Sequence, residues 1–83
     1  MSERFWYVYI LVSQADPARH YVGITNDLQP RLVRHNSGQM LHTVKFRPWQ
    51  IDTAIAFSSN AKAVSFERYL KSHSGRAFAQ KHF

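Results

Sequence analysis

Two short segments, FWYVYILV from Phe5 to Val12 and HYVGIT from His20 to Thr25, decide how this chain folds. In the first, Phe5, Tyr7, Tyr9 and Leu11 fall on one face of an extended strand, and Trp6, Val8 and Ile10 on the other. Both faces are apolar, which predicts a central strand covered on both sides. Ser13 to Arg19 follows with the turn signal Asp16-Pro17, and Tyr21 to Thr25 continues as a second strand. A hairpin with an extended loop results. Gly23 interrupts the second strand, where a glycine weakens the sheet and permits close approach of a backbone or a ligand.

Downstream, Thr25, Asn26 and Asp27 offer capping oxygens, Leu28 opens a helix, and Pro30 is tolerated in its first turn. Gly38 is expected to end that helix. The irregular, basic stretch Gln39 to Pro48 predicts a loop turned toward a ligand. Trp49, Ile51, Thr53, Ile55 and Phe57 alternate with Gln50, Asp52, Ala54 and Ala56, the pattern of a half-buried strand. Ser58, Ser59 and Asn60 precede a helix from about Ala61 to Ser72, and Ser74-Gly75 a short C-terminal helix carrying Phe78. The expected architecture is α/β of the α+β kind, one domain over residues 1–83. Its order is ββαβαα, with helices packed on a small three-stranded, largely antiparallel sheet.

The charge narrows the partners. Eleven Lys and Arg against five Asp and Glu give a formal net charge of +6, which favours an anionic partner, nucleic acid first, through counterion release. A membrane surface would call for Lys and Arg clustered on one amphipathic helix, whereas here they spread from Arg4 to Lys81. No apolar run approaches the roughly 18 residues of a membrane span, and the first apolar segment lacks a small-residue cleavage site. With no cysteine to form disulfides or thiolate metal sites, the cytoplasm is the expected location, and a monomer the default.

A few residues carry chemistry that packing alone does not require. On the first helix Leu28, Leu32 and His35 form a stripe, with Arg31 one turn before His35 on an adjoining line. Beside a buried stripe Arg31 either meets a phosphate in bidentate geometry or lays its stem along the sheet with its head in water. His35 has an intrinsic pKa near neutrality, suited to proton relay; it equally fits a surface residue at a helix end. Glu67 sits one turn after Ala63, on the side of the second long helix that also presents Phe66 and Leu70. It reads either as a ligand for a hard cation or as the partner of Lys71 in an i,i+4 ion pair. Glu3, Asp16, Asp27 and Asp52 are scattered over a terminus, a turn, a cap and a strand, a distribution that favours one metal rather than two.

Strands bearing YVY and YVG, Arg31 and His35 one turn apart, and Glu67 on a later helix together resemble the GIY-YIG nuclease superfamily, in particular its small single-domain bacterial members. The likeness covers nearly the whole chain. It implies a metal-dependent endonuclease that hydrolyses phosphodiester bonds, with DNA a better candidate than RNA. Tyr9 closes the first motif and Tyr21 opens the second; Tyr21, assisted by Tyr9, is implied to activate water. Arg31 would stabilise the phosphate, His35 would carry protons, and Glu67 would hold one Mg²⁺ or Mn²⁺. Gly23, Arg31, Lys45 and Arg47 are expected to face the nucleic acid. The pattern departs from the family at Tyr7, where the eponymous glycine would stand, and at Ile24, where some members carry lysine. The late metal-proximal asparagine has no clear equivalent. Larger relatives, excision-repair incision subunits among them, add DNA-recognition domains. A catalytically weak or inactive nucleic-acid-binding module of the same fold is the alternative.

Overall fold

The computed structural model describes residues 4–83, which leaves Glu3 outside the described residues. Strand β1 (Trp6–Ser13) pairs antiparallel with β2 (His20–Thr25) and with β3 (Trp49–Phe57), giving the sheet order β2-β1-β3. Three helices follow the strands in the expected order: α1 (Leu28–Asn36), α2 (Asn60–Lys71) and α3 (His73–His82), the last beginning before Ser74-Gly75 rather than after it. This is the ββαβαα order with a three-stranded antiparallel sheet. No helix among the described residues is long and apolar enough to cross a membrane.

The doubly apolar first segment is central because it feeds two cores. Val8 and Ile10 meet Ala63 and Leu70 on one side, joined by Phe66 of α2 and by Phe78 and Ala79 of α3. Tyr9 and Leu11 meet Trp49 on the other, with Leu28 and Leu32 of α1 packed against them. Burial of these apolar faces is the main driving force for assembling the layers.

Strand β3 departs from the simple alternation. A bulge opens opposite Ile10 and Leu11, where Thr53 pairs with Ile10 and Ile51 with Leu11, leaving Asp52 as the extra residue. Phe57 therefore lies in the α2 core, whereas Trp49 and Ile51 lie in the α1 core. One alternating segment serves both faces of the sheet.

Helix α1 ends as expected, with Gly38 at a φ of 85°, the left-handed geometry that glycine adopts freely. The segment after it is less irregular than its composition suggests and contains a 3-10 turn, Val44–Phe46. Asn36 fastens it: its side chain accepts from the Trp49 amide at 2.6 Å and donates to the Trp49 carbonyl at 2.9 Å. Ser59 caps α2 by accepting from Lys62, and Ser72 rather than Ser74 caps α3 by accepting from the Gly75 amide. That earlier cap places Gly75 inside the C-terminal helix.

Candidate active site

Tyr9 is the pivot on the α1 face. Its register partner on β2 is Gly23, and its phenol lies across that glycine; a Cβ at position 23 would sit 2.5 Å from Tyr9 Cζ. The close approach read from Gly23 is thus made by a side chain of the protein itself. The Tyr9 hydroxyl reaches His35 Nε2 at 3.0 Å, and His35 Nδ1 meets Thr43 Oγ1 at 2.8 Å. His35 is fully buried, at 0% exposure, which discards the helix-end surface reading.

These bonds fix the direction of the protons. The Thr43 hydroxyl donates to the Met40 carbonyl at 3.3 Å, so its oxygen accepts from His35 Nδ1–H. Nε2 then carries a free lone pair, and the Tyr9 hydroxyl donates to it. Burial, reinforced by the positive charges of Arg31 and Arg34, lowers the His35 pKa, so the ring is neutral at neutral pH. Burial also pushes the Tyr9 phenol up to about 12; a nearby Tyr21 adds to this, and Arg31 and Arg34 oppose it. Tyr9 is a proton donor into His35 and a poor phenolate.

Tyr21 completes the cluster with more access to solvent. Its ring centroid is 4.9 Å from that of His35 and 6.4 Å from that of Tyr9, and the residue is half-buried. It also lines a shallow pocket of about 320 Å³ with His20, Val22, Leu70, Lys71 and Arg76. Arg31, half-buried on α1, lies near enough to shift both Tyr9 and His35. Of the residues singled out in the sequence, the structure gathers Tyr9, Tyr21, Gly23, Arg31 and His35 in one place.

The loop cations share the α1 side but are less directly engaged. Lys45 Nζ and the Arg19 guanidinium both lie over the Phe46 ring, at 5.5 and 4.7 Å from its centroid. Arg47 donates to the carbonyls of Val44 and Asn36, buttressing the end of α1 while remaining exposed. Thr43 and Arg34 were not legible as site residues. A threonine in a basic loop carries no mark until the buried histidine it holds is known, and Arg34 reads as one more exposed helix cation.

These positions fit a known domain: the family model of the GIY-YIG catalytic domain matches residues 5–81. The chain belongs to the GIY-YIG family. Among curated proteins no significant match is found. GIY-YIG domains are nucleases that act on nucleic acid, generally with a divalent metal. In this chain Tyr9, Tyr21, Arg31 and His35 form one contiguous cluster.

Glu67 stands apart from that array. It lies on α2, the helix that covers the opposite face of the sheet, and its Oε2 is 2.5 Å from Lys71 Nζ. Its side chain is 15% exposed against 52% for Lys71, so the pair sits at the margin rather than in the core. Lys71 lines the same pocket as Tyr21, which brings the carboxylate toward the β2 edge of the GIY-YIG site. Among the described residues no group of three or more His, Cys, Asp or Glu could hold a metal ion. Glu67 offers a single hard carboxylate of the kind that oxygen-ligated divalent cations take, so water and phosphate would have to supply most of the ligands of a cation held there. A larger open depression of about 510 Å³, between Phe57 of β3 and Ala61, Lys62, Ser65 and Phe66 of α2, is remote from the tyrosines and carries one cation.

Proposed function

We propose that this GIY-YIG domain is an endonuclease that hydrolyses phosphodiester bonds in DNA and uses one divalent cation, Mg²⁺ or Mn²⁺. The observation that carries the reading is the buried Tyr9–His35–Thr43 chain with Tyr21 against it, a proton-handling array that a plain binding surface does not need. Tyr21, the more accessible phenol, releases its hydroxyl proton to solvent and, as the phenolate, orients the attacking water and takes a proton from it. Tyr9 remains protonated and holds Tyr21 and His35 in place, and His35 Nε2 is the lone pair to which a proton can move through the Tyr9 hydroxyl. Arg31 supplies the cation for the charge that grows on the phosphate in the transition state. Glu67 is the residue that would hold the metal, whose chemistry is to neutralise phosphate and leaving-group charge.

A cleavage assay on single-stranded, nicked and branched DNA, with Mg²⁺, with Mn²⁺ and with EDTA, tests the reading. Cleavage dependent on the metal is expected, and Glu67→Ala is expected to abolish it while leaving DNA binding and Tm nearly unchanged. The second reading, a non-catalytic nucleic-acid-binding module, draws on the Glu67–Lys71 ion pair, which already occupies the one candidate ligand. Salt-dependent binding without cleavage under any metal would select it. Absence of binding would eliminate both.

A further inference from the structure

The pocket beside Tyr21 is built from parts that the motif does not contain. Its floor is Val22 of β2 and Leu70 of α2, both apolar; its rim carries His20, Lys71 and Arg76; and Tyr21 forms the wall it shares with the catalytic cluster. His20, Tyr21 and Val22 are consecutive on β2, an edge strand of the sheet. At about 320 Å³ the depression is near the lower end of sizes that hold small organic groups. Arg76 has no ion-pair partner among the described residues. Lys71 has three donor hydrogens, one of which meets Glu67, leaving two for a second anion. A cationic rim over an apolar floor is the chemistry that accepts a phosphodiester with its attached sugar.

We propose that this pocket holds the phosphate and sugar of the nucleotide adjacent to the one presented to Tyr21, so that a single strand of nucleic acid runs along the exposed edge of β2 toward the start of α3. The proposal deepens the nuclease reading, on which it rests for the position of the scissile phosphate. It gives work to Lys71 and Arg76. Lys71 bridges the Glu67 carboxylate and the strand, and Arg76 takes the flanking phosphate. The short side chain of Val22 leaves room for the sugar between them.

The test is binding of a fluorescent single-stranded oligonucleotide to the full chain in EDTA, by anisotropy over a series of salt concentrations. Arg76→Gln is the principal variant because the residue is exposed and holds no ion-pair partner among the described residues; His20→Gln accompanies it, and Lys81→Gln at the far end of α3 is the control. Arg76→Gln is expected to reduce the slope of log K against log salt by about 0.7 and to weaken binding several-fold at low salt, with Lys81→Gln at wild type. Amide resonances of residues 20–22 and 70–76 are expected to shift when thymidine 3′,5′-bisphosphate is added. If Arg76→Gln and His20→Gln keep the wild-type slope while Arg31→Gln lowers it, the strand runs elsewhere and the proposal is overturned with the nuclease reading intact. If Arg76→Gln loses binding as expected while no metal supports cleavage, the pocket stands and the nuclease reading falls.

Discussion

Tyr9 and Tyr21 bear the same phenol in different surroundings, and that difference divides their roles. Tyr9 is 2% exposed and donates to a buried histidine, whereas Tyr21 opens onto a solvent-lined pocket. Tyr21→Phe is expected to lower the cleavage rate by roughly two to four orders of magnitude, the usual contribution of a positioned base, with Tyr9→Phe costing less; single-turnover kinetics would measure both. Wild-type rates in both variants would move the role of base to His35. The burial of Tyr9 also has a signature in stability. Its folded pKa of about 12 exceeds the ordinary 10, so both states are protonated below pH 10 and the contribution is full there. Between 10 and 12 the unfolded chain ionises first, and roughly 2–3 kcal/mol is lost as pH rises, a loss that urea unfolding should find absent in Tyr9→Phe. His35 gives the opposite slope: its pKa is lowered on folding, so its contribution is present above pH 6.5 and is lost as pH falls below it. His35→Gln is expected to flatten that acid limb.

At the scale of elements, β2 is shaped by the residue lying on it. Gly23 is the position over which the Tyr9 phenol passes, so Gly23→Ala would drive the phenol off His35. A loss of about 1–3 kcal/mol is expected from forcing a methyl into that space, with cleavage falling even where the protein stays folded; chemical denaturation alongside the cleavage assay separates the two effects. The strands and helices themselves were readable because each carries its own period: β1 is apolar on both faces, and α1 stops at a glycine. The bulge at Asp52 was not, since a strand with one extra residue still alternates along its own length, and only the partner Ile10–Leu11 reveals the slip. Two serines of equal capping strength bracket the start of α3, and the choice of Ser72 follows from where α2 ends. The tyrosines, Arg31 and His35 were legible through a family resemblance. Thr43 was not, because its partner is eight residues away in a buried cluster that only the folded loop creates.

At the scale of the molecule, the site side and the opposite side are separate cores that meet only through the sheet. Tyr9, Leu11 and Trp49 form one, and Val8, Ile10, Ala63 and Leu70 the other. The formal charge of +6 and the loop cations Lys45, Arg47 and Arg19 favour an anionic partner, yet the carboxylate Glu67 belongs to the helix on the far face. Residues from both layers therefore reach the β2 edge, where Tyr21 and Lys71 line one pocket. In β3 the extra residue Asp52 acts as a phase shift in a two-residue wave: upstream of it the wave crests on the side of α1, downstream on the side of α2. Deleting Asp52 would turn the bulged pair into a regular ladder, with Ile51 still opposite Leu11 and Thr53 still opposite Ile10. Trp49 and Ile51 would stay on the α1 side, and the bond from Trp49 Nε1 to the Thr43 carbonyl, 2.7 Å in the native chain, would be kept along with the Asn36 clamp. The expected result is a protein whose helices persist by circular dichroism and whose Trp49 indole fluorescence stays in the buried range; a red shift would show that the bulge itself positions Trp49. One unpaired residue thus lets a single alternating strand turn its upstream half toward α1 and its downstream half toward α2.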